Sequence, residues 1–85
     1  MKMSFKSIFL DRLRDRLYDH LRIGVMKGWE VRQIIEFTDV SISNNTVQID
    51  EYLKNHKVTL DNVNESIEEI IVKIILPSIK IDYEA

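Results

Sequence analysis

The groups in this sequence best equipped for chemistry are two histidines, a series of aspartates and a short run of amides. His20 and His56 lie in different halves of the chain, and neither has a second histidine at helical spacing. A structural metal needs about four ligands, and with no cysteine to add to these two imidazoles no metal site is expected. Asp11, Asp15 and Asp19 recur every four residues and would share one helical face. Arginines 12, 14, 16 and 22 are interleaved with them, so the carboxylates read as ion-pair partners rather than as a cation cluster. Serine, histidine and aspartate all occur, but no nucleophile motif or glycine-rich phosphate loop accompanies them. The chain is therefore expected to be neither an enzyme nor a cofactor protein. The amide run Asn44-Asn45-Thr46 has a structural reading of its own, as a turn and helix cap.

The elements that must position these residues are mostly helical. Two glycines and one proline in 85 residues are too few for a loop-rich or all-β chain. Residues 4 to about 26 read as an amphipathic helix with Ser4 as N-cap. Leu10, Leu13, Leu17 and Leu21 step by three and four, and Phe9 and Met26 extend the face. Asp11–Arg14 and Asp19–Arg22 are spaced to pair on the other side. Gly28 marks an end, and Trp29 behind it reads as a core anchor. A last helix opens at Asp61 or Asn62 and carries Val63, Ile67, Ile70, Ile71 and Ile74 at helical spacing. Pro77 is expected to stop it, and Ile79, Ile81 and Tyr83 then alternate as a short extended tail.

The middle admits two readings. In the first, a helix from Trp29 to Thr38 buries Val31, Ile34, Ile35 and Thr38. Residues 39–43 turn, and a third helix from Asn45 to about Lys57 buries Val47, Tyr52 or Leu53, and His56. In the second, residues 40–43 and 46–49 alternate with period two about Asn44-Asn45, as in a β-hairpin. The first gives an all-α domain of four helices. The second gives an α+β domain with a hairpin at about 40–50 between two long helices. The helical reading is preferred because Ile34-Ile35 breaks the alternation upstream and Asp50 to Lys54 has helical character.

Ile34, Ile35, Phe37, Thr38, Val40 and Ser41, followed by Thr46-Val47, resemble the helix-turn-helix superfamily over residues 31–57. The pattern departs at Asp39, where a turn glycine is usual, in the spacer Ile42-Ser43-Asn44-Asn45, about two residues longer than usual, and at Asp50, where a buried hydrophobe belongs. The resemblance implies a reading helix that enters the major groove by its N-terminal residues. Asn44, Asn45 and Gln48 would then address adenine and Thr46 a thymine methyl or phosphate. Arg12, Arg16, Lys27 and Arg32 would contact phosphates.

Charge and size bound the partners. Residues 1–32 carry a balance of +4 and residues 33–85 one of −6, which together give the net −2. An anionic partner would therefore meet the amino-terminal third. An apolar fraction of 45% beside 31% charged residues is that of one globular domain over 1–85, and a core this small gains from self-association. The isoleucine face of the last helix is wider than one partner helix would cover, so the helix either lies centrally in the fold or forms a homodimer seam through Ile67, Ile70, Ile71 and Ile74. The run Ile8-Phe9-Leu10 is short of the roughly 7–15 apolar residues of a secretory signal, and no apolar stretch approaches the roughly 20 residues of a membrane span. The expected location is the cytoplasm, with no membrane partner. Two functions fit: a dimeric regulator that binds duplex DNA through the helix-turn-helix-like segment, or a non-catalytic inhibitor or adaptor, of the sort phages and mobile elements encode, that binds a protein through a helical surface.

Overall fold

A computed structural model describes residues 4–79. The order is α1 (Phe5–Ile23), α2 (Val31–Asn44), α3 (Thr46–Asn55) and α4 (Val63–Ile70). After α4 the chain makes a π-helical turn over Ile71–Ile75 and stays helical through residue 79. There is no strand among the described residues, so the chain is the all-α form and the central hairpin is excluded. Ile79, expected to open an extended tail, is instead helical and buried, and the rest of that tail, from residue 80, lies outside the described residues.

The long helix forms for the expected reason. Ser4 caps it, its hydroxyl accepting from the Ser7 N–H at 3.1 Å. Phe9, Leu13, Leu17 and Leu21 are fully buried along one face. At the far end the Gly24 N–H donates to the His20 carbonyl at 2.9 Å, and Gly28 takes a φ of 88°, where a side chain would be strained. The connection 24–30 folds α2 back beside α1. Arg14 grips Asp39 through two contacts, 2.8 and 3.3 Å, and Tyr18 and Ile35 line one groove. The two helices are thus antiparallel, and the pairs 14/39 and 18/35 set their register.

Residues 39–43, expected as a turn, belong to α2. Ile34, Thr38 and Ser41 keep that helix buried at helical spacing past Asp39, and the Thr38 hydroxyl donates to the Ile34 carbonyl at 2.7 Å, so no buried hydroxyl is left unpaired. The corner between α2 and α3 is a single residue, Asn45. Its burial leaves 7% of it exposed, and its amide donates to the Ser41 carbonyl at 2.7 Å and faces the Ser78 hydroxyl at 3.4 Å. The α3 face also differs from expectation. Ile49 is its buried residue, Tyr52 and Leu53 pack partly against the core, and Val47 and His56 face outward.

Pro77 does not end the last helix. A proline there lacks an N–H and crowds the carbonyl four residues back, that of Lys73. The widened π turn spans this carbonyl, which lets the helix pass through the proline instead of breaking at it. Ile67, Ile70, Ile71, Ile75 and Ile79 all reach the core, where they meet the leucines of α1.

Candidate interaction surface

The expected DNA-facing residues do not share one face. Asn44, Thr46 and Gln48 are exposed at the α2–α3 corner, but Asn45 is the buried pivot of that corner. The Thr46 hydroxyl turns back to the Ser43 and Ile42 carbonyls, at 2.8 and 3.3 Å. The expected phosphate contacts are scattered as well. Arg16 is half-buried and donates to the Glu68 carboxylate at 2.8 Å. Arg12 lines a shallow depression between α1 and α4 with Asp15, Asp19 and Asn64. Lys27 and Arg32 lie at the closed end of the α1–α2 hairpin, exposed and without an ion pair among the described residues.

The expected dimer seam is corrected by burial. Ile67, Ile70 and Ile71 are at most 1% exposed within the single chain, and Ile74 is partly buried against the same core. The broad apolar face of α4 is wide because α1 covers it from one side and the rest of the fold from others. Ile67, Ile70 and Ile71 offer no free surface, and Ile74 offers only part of its own.

Two features were missed from sequence. The first is a polar clasp between α1 and α4. Glu68 receives Arg16 on one carboxylate oxygen and lies 3.0 Å from His20 Nε2 on the other. Burial alone would raise the Glu68 pKa, but the hydrogen bonds and charges of His20 and Arg16 outweigh it and hold the carboxyl below its ordinary range. The signal was the i,i+4 spacing of Arg16 and His20, which puts both on one edge of α1. A smaller polar link joins α3 to α4: burial raises the Tyr52 phenol, a hydrogen bond with Ser66 works against this, and the Glu69 carboxylate adds to the rise.

The second feature is apolar. On the outward side of the α1–α2 hairpin runs a groove of about 240 Å³ lined by Arg14, Asp15, Tyr18, Ile35 and Thr38. Ile35 is 40% exposed, Val31 one turn before it 59%, and Trp29 at the closed end 49%. Trp29 is thus not the core anchor expected, and Val31 and Ile35 are not core residues. The core needs only one face of α2, which Ile34, Thr38 and Ser41 supply. Val31 and Ile35 lie at a register that leaves them on the flank toward the groove. The surplus of apolar positions in 29–35 over what one helix face can bury was the available signal.

Among the described residues no three His, Asp or Glu side chains are gathered to hold a metal ion, and no helix is long and apolar enough to cross a membrane. Comparison of the chain with protein-family models, with curated proteins and with solved structures finds no match.

Proposed function

We propose that this chain is a small non-catalytic docking protein, an inhibitor or adaptor that works by protein contact through the outer face of its α1–α2 hairpin. The observation that carries the reading is the exposure of Trp29, Val31 and Ile35 near the closed end of the hairpin, with Ile35 lining the groove between its two helices. Contiguous exposed apolar groups on a small domain mark contact sites, and a groove between antiparallel helices accepts another helix. Tryptophan at its end supplies the kind of anchor that dominates binding energy. A photocrosslinking residue at position 35, introduced in living cells, should trap protein adducts that persist after nuclease treatment. The same residue at position 72, exposed on the π turn, should not. Equal trapping at both positions would count against the reading.

A nucleic-acid role rests on a different observation, the exposed Asn44, Thr46 and Gln48 together with Arg12, Lys27 and Arg32, which have no ion pair among the described residues. It predicts duplex binding that weakens steeply between low and moderate salt, with a flatter slope for Arg32→Ala. The buried Asn45 and the engaged Arg16 remove two of its eight contacts, which is why docking is preferred.

A further inference from the structure

We propose that the cavity between the carboxy-terminal half of α2 and the end of the last helix binds a neutral primary amide. The site stands apart from the docking face. Phe37, Val40 and Asn44, which line the cavity, lie across the buried Ile34–Thr38–Ser41 line from Ile35, on the other flank of α2.

Two groups in the wall carry the inference. Ser41 is 5% exposed, yet its hydroxyl has no hydrogen-bond partner among the described residues. A helical serine often turns its hydroxyl onto the carbonyl one turn back, as Thr38 does; Ser41 does not. Asn45 is as deeply placed. Its orientation is fixed, because the atom 2.7 Å from the Ser41 carbonyl must be the amide nitrogen. That nitrogen also faces the Ser78 hydroxyl, 3.4 Å away, which itself donates to the Ile75 carbonyl at 2.7 Å. Both amide hydrogens are thus spent inside the fold, and Asn45 Oδ1 is left as an acceptor without a donor. Neither oxygen is sealed from solvent, and both residues line one cavity of about 160 Å³. Polar groups this enclosed almost always find a partner. Here the partner comes from outside the fold.

The rest of the wall selects it. No charged side chain lines the cavity; Phe37, Val40, Ile79 and the exposed Asn44 amide complete it. A carboxylate or an ammonium would lose its hydration there with no counter-charge to meet it. Asn45 Oδ1 requires a donor, the Ser41 hydroxyl can give or accept, and the Asn44 amide does both. A primary amide has two donor hydrogens and a carbonyl, so it can answer all three groups. An alcohol has one hydrogen to give. The apolar side chains suit a short alkyl stem. In size, a cavity of about 150 Å³ holds benzene, so about six heavy atoms fit, enough for the side chain of a glutamine or for a free carboxamide.

Titration of the full ¹⁵N-labelled chain with propionamide tests the site. Saturable shifts are expected at Ser41, Ser78 and the Asn45 side chain, with a dissociation constant of roughly 1–50 mM for so small a ligand. Propionate, similar in shape but charged, should bind at least about tenfold more weakly. Ser41→Ala removes a hydroxyl that the fold does not use, so it should leave thermal stability unchanged and weaken propionamide about three- to tenfold. Val47→Ala, exposed on α3, should change neither. A blocked tripeptide with glutamine between two alanines separates the two sources. Binding at least as tight as propionamide assigns the site to a glutamine of a polypeptide; exclusion of the peptide while propionamide binds assigns it to a free carboxamide. Shifts that never saturate, an equal response to propionate, or a Ser41→Ala chain that binds like wild type would overturn the amide site and leave a cavity for water only.

Discussion

Helix α4 and helix α2 are both rich in branched apolar residues, yet they do opposite things. The isoleucines of α4 and its π turn are swallowed by the chain's own core: Ile67, Ile70, Ile71 and Ile75 touch no solvent to speak of. In α2 only Ile34 of the large hydrophobes is fully buried, and Val31, Ile35 and Val40 stand outside. The difference is one of position, not of composition. Helix α4 lies against α1 and is tied to it by the Arg16–Glu68–His20 clasp, so several sides of it are covered. Helix α2 is the outer member of a hairpin and meets the core along one edge. The more hydrophobic helix is therefore the worse guide to where a partner binds.

That contrast can be broken at several points. The largest effect is expected at the α4 core, where Ile70→Ala should destabilise by about 2–5 kcal/mol, because it removes a fully buried side chain from a close-packed site; chemical denaturation measures it. The same truncation at Ile35 should change stability by no more than about 0.5 kcal/mol. A comparable loss at both sites would mean that the hairpin face is as internal as α4. Asn45→Leu comes next, with an expected cost of about 1–3 kcal/mol, because it leaves the Ser41 carbonyl without its buried donor. Asn44→Leu, one residue away and exposed, should cost little.

The smallest effect belongs to the clasp. A carboxyl whose folded pKa is lowered stabilises the fold above its unfolded pKa, and that contribution is lost as pH falls through the folded value. Glu68 is such a group. Its share is therefore fully present above about pH 5 and disappears on acidification below the ordinary carboxylate range near 4.3. Glu68→Gln should flatten the stability–pH curve in that acid region and leave the curve above neutrality parallel to wild type. The pair is exposed enough that the difference will be modest.

The all-α class and the two bounding helices could be read from sequence because each has a single uninterrupted stripe, Leu13-Leu17-Leu21 in one and Ile67-Ile70-Ile71-Ile74 in the other. Ser4 as a cap and Gly28 as a turn followed from ordinary backbone preferences. The corner between α2 and α3 could not be read this way. Ser41 and Asn45 look like turn residues because of their polar side chains, but both are buried, and Asn45 is satisfied by the Ser41 carbonyl one turn back. A polar residue that bonds to its own helix gives no sign in the sequence of facing inward. Pro77 misled for a similar reason, since the π turn that accommodates it is a property of backbone register rather than of any one side chain. The surface role of Trp29, Val31 and Ile35 was hidden because an apolar residue looks the same whether it faces the core or a partner.

The chain has one tryptophan, and it stands on the face in question, so its fluorescence reports on the central claim directly. Emission should be that of a solvent-exposed indole, and iodide should quench it readily. A blue emission shielded from iodide would show that Trp29 is covered and would contradict an open apolar face at the closed end of the hairpin.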